Sequence, residues 1–295
     1  KNPTTFFAAP AMSQINYAEA IEEEGVFQEK ARLAWRSGAS LWRDYGNREM
    51  RSSRGTLIRL AELTRWELVQ KKLQAEFDGL STGIRESILA EKKAKLSKST
   101  LSALSVPETL RSEQQRQLVE ESLSSLEVTL EEIAARVATD LPEKAGQASR
   151  LSKRIAENND RIFLIKNNRQ VSNYDFWKVR CDFEQTADAL RARELAYAAR
   201  RAFKEDADLS ESQRLYEECF DLWKKVFVAF PMLNNDSIIG SDLMEVIDEY
   251  AEVLMQLDLS FADEEIDTKF PLWDVLEASD QERKYVAPIA EHKKR

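Results

Sequence analysis

One histidine, two cysteines and 52 acidic side chains are the chemistry-bearing stock of this 295-residue chain. The histidine, His292, lies in a polar tail. Nucleophilic catalysis of the Ser-His-Asp or Cys-His kind needs an imidazole held beside its nucleophile, and chain ends hold side chains poorly. The same scarcity argues against a His-ligated zinc site and against the Glu-x-x-His pairs of di-iron bundles. With 8 glycines the chain has little material for a Gly-rich phosphate loop. Asn234, Asp236, Gly240, Asp242 and Glu245 fall at calcium-loop spacing, but Ile238 and Ile239 stand where an oxygen ligand and a glycine are needed. A loop with an N-terminal cap accounts for that stretch better. Paired acids such as Glu131-Glu132 and Glu217-Glu218 have the composition for acid–base work. Neighbours on a helix point in different directions, so they read as solvated faces. No catalytic, cofactor-binding or metal-ligating set is expected, and no cofactor. Cys181 and Cys219 both fall in helical patterns and are expected to be buried free thiols.

The informative spacing is architectural. Ala31, Trp35, Gly38 and Trp42 read small, aromatic, small, Trp at steps of four, three and four, and Ser212, Tyr216, Cys219 and Trp223 repeat the reading 181 residues later. Those steps place all four side chains on one helix stripe. Small residues let a neighbouring helix approach, and the aromatics fill the space around the contact. Trp66, Trp177 and Trp273 lie off these stripes and are candidate interface anchors wherever they prove exposed.

The elements that must carry these residues are helical. Hydrophobic residues are 43% of the chain, enough for a large core, and 7 prolines with few glycines imply few turns. No segment alternates at period two long enough to be a strand. The class is all-α, an elongated array of antiparallel hairpins. The expected helices begin with one capped at Ser13 and ending near Gly25, then one from Phe27 to Gly46. Another starts at Ser52 or Ser53 and runs to Gly79, and one follows over Ile84–Leu96. The Ser-rich stretch Lys98–Ser105 reads as a linker. Capping boxes are read at Ser105–Glu108, Thr129–Glu132 and Ser210–Gln213. Tyr174–Phe203 reads as one long helix, Ser241–Leu257 as the last substantial one, and Phe270-Pro271-Leu272-Trp273 as an apolar clip. Three segments follow, as separate parts or as one continuous domain: N-terminal hairpins over 1–104, central long helices over 105–204, and an acidic helical lobe over 205–295.

The net charge of −9 is unevenly spread. Residues 205–282 hold 22 acidic and 4 basic side chains, whereas the tail 283–295 is basic. Such a lobe disfavours nucleic acid and reads as a solubilising surface or as a docking face for a basic protein. Basic clusters at Lys92-Lys93-Ala94-Lys95, at Arg150–Arg154 and at Arg191, Arg193, Arg200 and Arg201 have nearby acids. They suit a soluble helix surface, lipid headgroups, or the chain's own acidic lobe. No apolar run reaches the ~20 residues that span a bilayer. Because the chain opens on Lys1, a targeting or anchoring segment upstream is compatible with it.

The spacings Ala31/Trp35/Gly38 and Ser212/Tyr216/Cys219 resemble the second helix of a tetratricopeptide hairpin, although the glycine of that family's first helix is missing. The stretch Asn168–Trp177, continuing through Arg180, Glu184-Gln185-Thr186 and Ala189-Leu190, together with Ser210–Trp223 and Asp242-Leu243-Met244, resembles an uncharacterised family of helical proteins from planctomycete bacteria. That resemblance implies the water-exposed body of a membrane-tethered protein. The expected function is a non-catalytic protein–protein interaction or scaffold module; the alternative is a helical binder of a small molecule or lipid.

Overall fold

Residues with strong helix propensity fill most of the chain, and the computed structural model, which describes residues 6–235, 237–259 and 270–272, is all-α apart from one small hairpin. By its contacts the chain divides into two units, residues 1–48 with 169–295, and residues 49–168.

In the first unit, α1 (Ala9–Glu23) and α2 (Gln28–Asn47) form a hairpin. Pro10 suits the first turn of α1, which places Ser13 inside the helix and not at its cap. Gly25 closes the turn at φ +80°, with its N–H on the Glu22 carbonyl at 2.9 Å. After Asn173, at φ +50°, come α9 (Tyr174–Glu184) and α10 (Ala187–Lys204). The single helix expected over Tyr174–Phe203 is therefore two. Thr186 is the reason: its hydroxyl donates to the Phe183 carbonyl at 2.7 Å, ending α9, and accepts from the Ala189 N–H, starting α10. α11 (Leu209–Ala229) is capped by Asp208, which accepts the Glu211 N–H at 3.0 Å, so Ser210 lies within the helix. α12 (Ser237–Gln256) completes the described helices of this unit.

The core of this unit is aromatic. Phe220 packs against Tyr250 and Phe270 at ring separations of 5.3 and 5.1 Å, and Leu272 is buried beside Phe270. Trp273 and His292 lie outside the described residues, as do the side chains of Asn234, Asp236 and Asp242 in the calcium-like spacing.

The second unit opens with β1 (Met50–Arg51) and β2 (Leu57–Ile58), an antiparallel pair with Met50 opposite Ile58. A helix was expected from Ser52 or Ser53. The segment Ser52–Thr56 instead forms the turn, with Gly55 at φ +80°. Then come α3 (Leu63–Leu80), α4 (Ile84–Ala94), α5 (Lys98–Ser105), α6 (Glu113–Leu126) and α7 (Leu130–Asp140). The expected linker 98–105 is thus a helix, capped by the Ser97 hydroxyl. The box expected at Ser105–Glu108 does not form: Val106 precedes a proline and is extended at ψ 132°, and Glu108–Leu110 make a single 3₁₀ turn. The working boxes are Ser112/Gln115 and Thr129/Glu132. α8 (Ala145–Ser172) runs on through Asn167-Asn168. Leu73, Phe77, Ile88, Ile133, Val137 and Ile155 centre a largely aliphatic core.

Candidate functional site

The two four-residue stripes both lie in the first unit, and all eight side chains are buried. Their small members admit particular neighbours. A Cβ added at Gly38 would stand 3.2 Å from the Cys181 sulfur of α9. Gly46, two turns further along α2, lies so close to Tyr174 that an added Cβ would meet its hydroxyl oxygen at 2.0 Å. In the second stripe the Ser212 hydroxyl donates to the Ala199 carbonyl of α10 at 2.9 Å. Tyr216 and Tyr250 pack at 5.9 Å and give their hydroxyl protons to Glu249 and Glu217, at 2.9 and 3.1 Å. Burial and these carboxylates push both phenols well above their usual range. Burial pushes the Cys181 and Cys219 thiols up to about 12. Both are free, and a neutral, enclosed thiol is a poor nucleophile.

The stripes also lead to a charged cluster. Trp35 donates its indole N–H to Glu22 at 2.7 Å. Glu184, fully buried, accepts from Arg193 Nε at 3.0 Å and also from its Nη2. Arg180, itself buried, reaches Glu19 at 3.1 Å and lies 3.7 Å from Glu184. Arg193 Nε stays 3.9 Å from Glu22, a looser approach. The guanidinium groups rest on aromatic faces, Arg193 over Trp223 at 5.3 Å and Arg180 over Trp177 at 5.6 Å. Two enclosed carboxylates, Glu22 and Glu184, thus share their surroundings with two guanidinium groups, and Glu19 stands at the more exposed edge. Burial, then repulsion by Glu184, raises Glu22 to about 7 against the pull of Arg193, Trp35 and Arg180.

Glu19, Glu22, Arg180 and Arg193 of this cluster line an open cleft of about 380 Å³ whose walls include Tyr197, Arg200 and Trp223. Tyr197 leans over the α1–α2 turn, where only a glycine fits: an added Cβ at Gly25 would lie 2.8 Å from the tyrosine ring. The sequence reading passed over Glu19, Glu22, Glu184 and Arg180 as members of a cluster. A signal was present. Ala11, Ile15, Ala18 and Glu22 follow steps of four, three and four, so Glu22 continues the buried stripe of α1. A carboxylate on an apolar stripe needs a partner.

The acidic lobe presents Glu205, Asp206 and Asp208 at the α10–α11 turn, Glu217, Glu218 and Asp221 on α11, and Glu245 and Glu252 on α12, all exposed. Part of the nearby basic cluster answers it: Arg200 pairs with Glu249 at 2.8 Å and Arg201 with Glu205 at 2.9 Å. Lys92 of the first basic cluster is paired with Glu132. Among the candidate anchors, Trp66 is half-buried, with Arg161 4.2 Å above its ring and its N–H on Glu62. Trp177 is likewise half-buried, against Phe176.

Among the described residues no group of three or more His, Cys, Asp or Glu side chains gathers as a metal-holding set, and no helix is long and apolar enough to cross a membrane. No protein-family model, curated protein or solved structure matches the chain.

Proposed function

We propose that this chain is a non-catalytic protein–protein interaction module whose acidic surface on the α10–α11 turn, α11 and α12 receives a basic partner. The observation that carries the reading is the run of exposed acids on that surface, set on helices whose opposite face is an aromatic core. On these elements the exposed acids outnumber the exposed Arg214, Lys224 and Lys225, and an excess of one sign of charge steers and orients a complementary protein. The α10–α11 pair, with Ser212 bonded to the Ala199 carbonyl and Cys219 beside Ala196 of α10, supports a tetratricopeptide-like hairpin. The groups best suited to chemistry support the same reading: both thiols are enclosed, and Glu184 is tied to arginine.

The test is charge reversal. Native assembly is purified with the chain as bait, and its stoichiometric partner is measured against parent and Glu217→Lys/Glu218→Lys/Asp221→Lys protein. We expect an association that weakens steeply as salt rises above ~0.1 M, where screening shortens to about 10 Å, and that the triple variant loses. An unchanged affinity in the triple variant refutes the assignment of this surface.

The cleft supports a second reading, a binder of a small polar molecule, since it joins a cavity to convergent charged groups. Its charged lining does not suit a lipid tail. Mass spectrometry of the native protein for a retained small molecule distinguishes the two readings.

A further inference from the structure

The last turn of α1 is held by three things. Glu22 anchors its side to Trp35 of α2, Glu19 meets Arg180 of α9, and the Gly25 and Val26 N–H groups close the helix end on the Glu22 and Ile21 carbonyls at 2.9 Å each. Glu22 faces the indole of Trp35 from α2, Arg180 and Glu184 from α9, and Arg193 from α10; Glu19 and Glu23 are the acids beside it on α1, and Tyr197 and Arg200 stand on the cleft wall. α11 and α12 add Trp223, Leu243 and Val246 to the lining, none of which titrates. Glu184 is enclosed and bonded directly by Arg193, whereas Glu22, 3.9 Å from the same guanidinium, lines the cleft beside it.

We propose that Glu22 works as a proton-operated latch: with the proton on, the last turn of α1 is held against α9 and α10, and with the proton off, the turn is released and the cleft widens. A neutral Glu22 keeps its acceptor for Trp35 and places no charge beside Glu184. An ionised Glu22 sits in a poorly solvated position, repelled by Glu184, with Arg193 at 3.9 Å while that guanidinium bonds Glu184 more closely. Opening the turn returns the carboxylate to water. The cleft is the structure that would respond, because Glu19, Glu22 and Glu23 all line it.

The size of the effect follows from linkage. A carboxyl that holds its proton to about pH 7 in the closed form and ionises at its ordinary value when open raises the opening equilibrium about tenfold between pH 6 and pH 8. Hydrogen exchange at the Gly25 and Val26 amides, corrected for intrinsic base catalysis, reads it directly. The parent protein is expected to lose about tenfold protection over that interval. Glu22→Gln is expected to show equal protection at both pH values, and Glu23→Gln, at the exposed rim, to keep the parent's slope. Flat protection in the parent, or an undiminished slope in Glu22→Gln, overturns the latch. If Glu22→Gln does not fold, carboxyl carbon NMR of the parent decides: a glutamate titrating near pH 7 is required, and its absence overturns the proposal.

Discussion

Glu22 holds its proton to about pH 7 because it is buried beside another carboxylate, and that has a sign for stability. An unfolded chain loses the same proton near 4.5. Between those values the folded protein keeps a proton the unfolded chain has released, so stability from this group is complete below about pH 4.5. It falls as pH rises through 7 and is flat above. At most about 3 kcal/mol is at stake. Glu22→Gln is expected to match the parent at pH 4.5 and to exceed it at pH 8, read as a difference in thermal midpoint. The enclosed thiols give a second expectation: at pH 8 neither Cys181 nor Cys219 reacts with a disulfide reagent until denaturant unfolds the chain. Glycines give a third. Gly46→Ala forces a methyl onto the Tyr174 hydroxyl and is expected to cost about 1–3 kcal/mol. Gly79→Ala, with nothing within 4 Å of the new atom, is expected to stabilise α3 by up to about 1 kcal/mol. Urea unfolding of the pair reads both. The sequence exposed the cysteines; for Glu22, one among 52 acids, the burial that dominates its shift was legible in the α1 stripe, whereas the repulsion by Glu184, far along the chain, was not.

Helices are local objects, and most were legible from period and punctuation. Their ends were less so, because several serines compete to start each one. Ser105 satisfies the Ser-x-x-Glu pattern, yet Pro107 forbids the helical conformation at Val106, and the helix waits for Ser112. Thr129 has no such obstacle and caps where its pattern says. Substitution separates these cases: Ser112→Ala and Thr129→Ala are each expected to lower stability by about 1 kcal/mol, and Ser105→Ala and Ser210→Ala by much less, in denaturant titrations. The β1–β2 hairpin was missed for a related reason. Two residues per strand leave no alternation to read, and Gly55 alone signals the turn.

At the scale of the molecule, residues 1–48 and 169–295 share one core while 49–168 build another. The first is dense in aromatics; the second has Phe77 among aliphatic residues. Trp66 is the tryptophan of the second unit, the other five lying in the segments of the first. The fluorescence change that Trp66→Phe removes therefore isolates the unfolding of the second unit. Its urea midpoint is expected to be lower than that of the remaining tryptophans; coincident midpoints would mean that both units unfold as one.

The sequence by itself determined that the chain is helical, where its buried stripes run, and that one lobe is acidic, because each of these is set by near neighbours and composition. Only the tertiary structure decided that Gly38 meets Cys181 and Gly46 meets Tyr174, and that Glu22 and Glu184 share two arginines. Periodicity fixes which face of a helix is apolar, but the identity of the helix laid upon it depends on shape and charge brought together from distant parts of the chain.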